Sequence, residues 1–104
     1  MSLHKKYENN LNVIADNLKR IRTDKNISLS SLSNKLMLMG VDISKQSLYR
    51  IEQNKRSVRD YELSSIAVSL GVKTDDLLQD FINDITKNWW NSFWYFLIIS
   101  IFNR

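Results

Sequence analysis

Between Lys45 and Ile51 the chain concentrates side chains that hydrogen-bond. Lys45, Gln46, Ser47, Tyr49 and Arg50 surround Leu48, and Ile51 follows directly. The Gln46 carboxamide sets a donor beside an acceptor, the complement of what adenine shows in the DNA major groove. Lys45 and Arg50 donate only, which suits guanine O6 and N7. Tyr49 joins a ring suited to a thymine methyl with a hydroxyl suited to a phosphate. Just beyond, "NKRSVR" supplies Lys55, Arg56 and Arg59, cations suited to neutralising phosphates. Side chains of these types also cover any solvated helix face, so the elements that hold them decide their meaning.

Other chemistries find little support. The chain has no cysteine, which excludes a disulfide framework, a thiolate zinc site and a catalytic thiol. His4 is the only histidine and has no partner for a metal site or a triad. Asp75 and Asp76 are paired acids, but at a helix start they serve capping and the helix dipole. No glycine-rich phosphate loop or nucleophile–base pair appears. Neither an enzyme nor a cofactor is expected. The net charge of +4 suits an anionic partner, nucleic acid or a membrane surface. The opening "MSLHKKYENN" has no apolar stretch behind its lysines, so a secretory leader is not expected and the reading is cytoplasmic.

Proline is absent and glycine occurs only at Gly40 and Gly71, a composition that favours helices over hairpins. Hydrophobic spacing predicts five helices in one all-α domain. The first carries Leu11, Val13, Ile14, Leu18 and Ile21, with Asn26 as its stop. Ser28 caps the second, whose stripe is Leu29, Leu32, Leu36 and Met39 and whose end is Gly40. Ser44 caps the third, with Ile43, Leu48 and Ile51 facing inward and Asn54 closing it. Asp60 caps the fourth, which buries Leu63, Ile66, Ala67 and Leu70 and ends at Gly71. A fifth helix begins at Thr74 or Asp75, carries Leu77, Leu78, Phe81, Ile82, Ile85 and Trp89, and runs on into the apolar tail. Residues 1–10 read as a mobile arm containing Lys5 and Lys6, residues 11–80 as the domain and 81–104 as an apolar C-terminal helix.

The runs "IADNLKRIRTDKNISLSSLS", "ISKQSLYRIEQNKR" and "ELSSIAVSLGV" together resemble the phage-repressor and Cro-type helix-turn-helix family over roughly Ile14 to Leu78. The resemblance implies a five-helix, lambda-repressor-like domain whose third helix reads double-stranded DNA, usually in a dimer. By position it makes Lys45, Gln46, Tyr49 and Arg50 base-reading residues and Ser47 and Lys55 phosphate contacts, and the neighbouring Asn54 and Arg56 are expected to contact phosphates as well. It also implies an internal ion pair between Arg22 and Glu52. The sequence departs from the family in three places. Leu29 stands where a phosphate-binding glutamine is common, Ser33 replaces a small alanine, and about four extra residues lie between Leu36 and Ser44. Four residues approximate one helical turn, so "KLMLMGVDIS" is expected to lengthen the second helix and its turn without breaking the motif.

The tail, "WWNSFWYFLIISIF", is the greasiest stretch. At about 14 residues and 1.5 Å each it reaches roughly 21 Å, short of the about 30 Å of a bilayer core. Its tryptophans and Tyr95 resemble an interfacial belt, but only Lys87 and Arg104 flank it with positive charge. A helix apolar on every side is expected to be buried on several. The leading expectation is a homodimer seam of Trp89, Trp90, Phe93, Trp94, Phe96 and Leu97. Packing within the chain, membrane contact and docking to another protein, as in an antitoxin-like or adaptor module, rank behind it.

Overall fold

Local hydrogen-bonding groups set most helix boundaries in the computed structural model, which describes residues 2–102. The helices are α1 (Leu3–Tyr7), α2 (Ala15–Asp24), α3 (Leu29–Leu38), α4 (Lys45–Glu52), α5 (Asp60–Leu70), α6 (Thr74–Leu77) and α7 (Gln79–Phe102). No strand occurs among the described residues. Ser28 and Ser44 cap α3 and α4, accepting the N–H groups of Ser31 at 3.0 Å and Ser47 at 3.1 Å. Asn26, Gly40, Asn54 and Gly71 take left-handed backbone at the ends of α2, α3, α4 and α5, with φ of 57°, 81°, 56° and 70°. Asparagine and glycine reach that region at the least steric cost.

One apolar core joins α2 to α6. Ile14, Leu18 and Ile21 meet Leu32 and Leu36 of α3, Ile43 and then Leu48 and Ile51 of α4, Ile66, Ala67 and Leu70 of α5, and Leu77 of α6. The polar groups at its margin are matched: no buried side-chain nitrogen or oxygen among the described residues lacks a hydrogen-bond partner. A core of this size lets α3 and α4 hold a fixed angle, because interiors pack too densely for one helix to shift alone.

Several expectations need correction. The first predicted helix starts at Ala15, so Leu11 lies outside it and is exposed. Asn12 takes over the approach to α2, its Oδ1 accepting the Ile14 N–H at 3.0 Å. Met39 is exposed, because α3 ends at Leu38 and its last apolar residues run past the core. For α5 the cap is Arg59 and Asp60 is the first helical residue; Glu62 accepts the Arg59 N–H at 3.0 Å. The fifth helix is two helices. The buried Asn17 donates to the Leu77 carbonyl at 3.2 Å, an acceptor a continuous helix would keep for itself, and the chain breaks at Leu78. Ile85 and Trp89, which continue its helical spacing, are exposed on α7.

Both ends of the chain also differ from expectation. The arm contains α1, which Tyr7 pins to α7 by an edge-on contact with Phe81 at 5.2 Å. Lys6 and the Tyr7 hydroxyl both bond the Asp84 carboxylate. No residue of α7 is buried, and the long helix extends the molecule to 61 × 26 × 23 Å. No described helix is long and apolar enough to cross a membrane. Arg104, the second basic flank of the tail, lies outside the described residues.

Candidate nucleic-acid interface

Helix α4 is short and held on one side only. Leu48 and Ile51 are fully buried, and at 100° per residue Lys45, Gln46, Tyr49 and Arg50 share an arc of about 140° on the opposite side. All four are exposed, and none of their side chains makes an internal hydrogen bond among the described residues. Their donors and acceptors face water, free for a ligand.

Two contacts fix the helix from the inside. Arg22 of α2 grips Glu52 with two bonds, Nε to Oε2 at 2.6 Å and Nη2 to Oε1 at 3.0 Å. Its Nη1 also donates to the Ile27 carbonyl at 2.9 Å. The hydrogen bond to Glu52 pushes the Arg22 pKa above its ordinary value despite the opposing effect of burial. Ser33 of α3 donates to the Ile43 carbonyl at 2.7 Å, directly before the α4 cap. The residue that departs from the usual alanine therefore clamps the turn between the two helices. Along the longer connection between Leu36 and Ser44, Met37, Leu38 and Met39 are exposed, while Val41 packs against the core and Ile43 is buried in it.

The flanking candidates divide. Lys55 is exposed just past α4, and Arg59 is exposed at the start of α5, donating to the Tyr61 hydroxyl at 3.3 Å. Ser47 is half-buried and its hydroxyl lies 3.0 Å from that of Ser44. Asn54 and Arg56 turn to internal partners. Asn54 Oδ1 accepts the N–H groups of Leu11 and Asn12 at 2.9 and 3.1 Å. Arg56 forks onto the Glu62 carboxylate at 3.2 and 3.0 Å and also donates to the Ser57 carbonyl. Burial pushes the Glu62 pKa up, but the Arg56 guanidinium and the Arg59 N–H outweigh it and hold the net value below the ordinary range.

Sequence reasoning missed the partners of these residues. Asn12 donates to the Ile51 and Arg56 carbonyls at 3.0 and 2.9 Å, tying the approach to α2 to the last turn of α4 and the middle of the α4–α5 connection. No spacing announces such a contact. Glu62 did carry a signal: an acid three residues after a helix cap is the accepting half of a capping box. The six expected seam residues lie exposed along α7, and the rings of Trp89, Trp90, Phe93 and Trp94 form a run of contacts; the Trp89 and Phe93 rings stack at 5.3 Å with planes 9° apart.

A capped helix, presented by a second helix across a short turn with its polar face unbonded, defines a helix-turn-helix DNA-binding domain. Residues 17–81 match the Cro/C1-type HTH DNA-binding domain, and the chain belongs to that family. No curated protein and no solved structure gives a significant match to the chain. The family match ends within the first turn of α7, so α1 and the apolar part of α7 lie beyond it.

Proposed function

We propose that the chain is a repressor-like regulator of transcription that binds particular sequences of double-stranded DNA in the cytoplasm as a homodimer. In this reading α4 of each protomer enters successive major grooves about one turn apart. Lys45, Gln46, Tyr49 and Arg50 read base edges, Lys55 and Ser47 steady the backbone, and Arg59 adds a phosphate contact. Asn54 and Arg56 support the reading helix from within. The observation that carries the proposal is the exposed, internally unbonded face of α4, mounted on a core that leaves it no freedom to turn.

Homodimerisation is supported by α7. Trp89, Phe93 and Phe96 follow one another at steps of four and three, and Trp90, Trp94 and Leu97 repeat the pattern beside them. All six are exposed in the single chain. Such a stripe lowers its free energy by meeting its own copy.

Selection of sites from random duplex DNA, followed by a salt titration on the selected site, tests the function. Affinity is expected to fall steeply as salt rises, because each neutralised phosphate releases counterions. Gln46→Ala is expected to cost about 1–3 kcal/mol on the selected site and little on random DNA, whereas Lys55→Ala weakens both alike. Absence of binding even at low salt would leave the protein-interaction reading in its place.

A further inference from the structure

Helix α7 carries more apolar surface than a dimer of this size requires. The six seam residues, roughly half exposed each, supply on the order of 600–700 Å² per protomer. That approaches the about 800 Å² per partner of a standard interface. The opposite side of the helix passes Asn88, Asn91 and Ser92 and turns apolar from Tyr95 onward. Tyr95, Ile98, Ile99 and Phe102 lie there at steps of three, one and three, all exposed, Phe102 at 81%. Ser100, at the helical phase of Trp89 and Phe93, belongs to the seam side. In a closed symmetric bundle every helix keeps an outward side. A dimer or a tetramer built on this seam therefore leaves a continuous apolar strip in water, on the order of 400–500 Å² per protomer, within the range that marks a binding surface.

The order of residue types along the axis identifies what covers it. From Gln79 to Asn88 the exposed positions include Gln79, Asp80, Asn83 and Lys87. Trp89, Trp90, Trp94 and Tyr95 come next, and from Leu97 to Phe102 only Ser100 interrupts the hydrophobic run. Water, an aromatic belt and then hydrocarbon is the profile of a bilayer surface. Six residues at 1.5 Å reach about 9 Å, within the about 15 Å of one leaflet's hydrocarbon. We infer that the end of α7 inserts into one leaflet of a lipid bilayer, with Tyr95 of the outward strip at headgroup level, and so holds the DNA-binding domain at a membrane surface. The inference stands apart from the DNA reading.

All three tryptophans of the chain lie in α7, so its tryptophan emission reports on this helix alone. The full chain is titrated with phosphatidylcholine vesicles after sedimentation has fixed its oligomeric state. Vesicles with brominated acyl chains are expected to quench the emission, and the protein is expected to float with the lipid. Ile98→Gln with Phe102→Gln is expected to lower partitioning about tenfold or more, with oligomeric state and DNA affinity unchanged. Ile99→Gln, a milder change, lowers it less. A wild-type chain that neither floats nor is quenched overturns the inference, as does a double variant that partitions like wild type. A tetramer indifferent to vesicles also overturns it and assigns the strip to further copies. Failure of the dimer reading would appear in sedimentation alone and leave the vesicle result standing.

Discussion

Replacing Glu52 by alanine tests whether the reading helix is held as described. Its side chain is 2% exposed and that of Arg22 13%, and the two share bonds of 2.6 and 3.0 Å. Removing one partner of a buried pair costs about 3–5 kcal/mol, because the other charge stays desolvated and unpaired. Arg22 is the more exposed partner and keeps its bond to the Ile27 carbonyl. The lower end, about 3 kcal/mol, is therefore expected for Glu52→Ala. With a urea slope of about 1 kcal/mol/M, the unfolding midpoint followed by circular dichroism falls by about 3 M. Replacing both partners by apolar residues, Arg22→Met with Glu52→Leu, is expected to recover most of the loss, since no charge is then stranded. DNA affinity should follow the same order, because α4 is oriented by this pair and by Leu48 and Ile51. A Glu52→Ala loss below about 1 kcal/mol would refute the reasoning. So would a double variant no more stable than the single one.

Asn54→Ala is expected to cost about 1–3 kcal/mol, since it removes the acceptor of the part-buried Asn12 N–H and places a Cβ-only residue at a φ of 56°. Thermal unfolding measures that loss, and Asn54→Gly should be the gentler change. The lowered Glu62 pKa means that its pairing stabilises the fold above the ordinary glutamate range and that this is lost as pH falls through the lowered value. The stability gap between wild type and Glu62→Gln should therefore close on acidification. A gap constant from neutral pH to about pH 2 would contradict the ion pair. Deleting residues after Asn88 removes nothing buried, so the unfolding temperature should move by no more than about 2 °C. Sedimentation should then show monomers; a truncated chain that remains dimeric removes the seam from α7.

Much of the candidate site on α4 was legible locally. Ser44 and Asn54 bracket α4, and the 3.6-residue period by itself separates Leu48 and Ile51 from Lys45, Gln46, Tyr49 and Arg50. The flanking residues were less legible. Arg56 and Asn54 have the right types for phosphate contact, and only the fold shows that Glu62 and the backbone before α2 already engage them.

The sequence by itself determined the helical class, the caps of α3 and α4, the inward stripes and the exposed polar face of α4, because each follows from the conformation and hydrogen bonding of residues within a turn or two. Tertiary structure decided what depends on distant partners. Asn17, 60 positions away, takes the Leu77 carbonyl and splits the last helix in two. Tyr7 finds Asp84 and Phe81 and turns an expected arm into a packed helix. The apolar tail finds no core within its own chain, since α2 to α6 already close around one another, and its surface stays exposed.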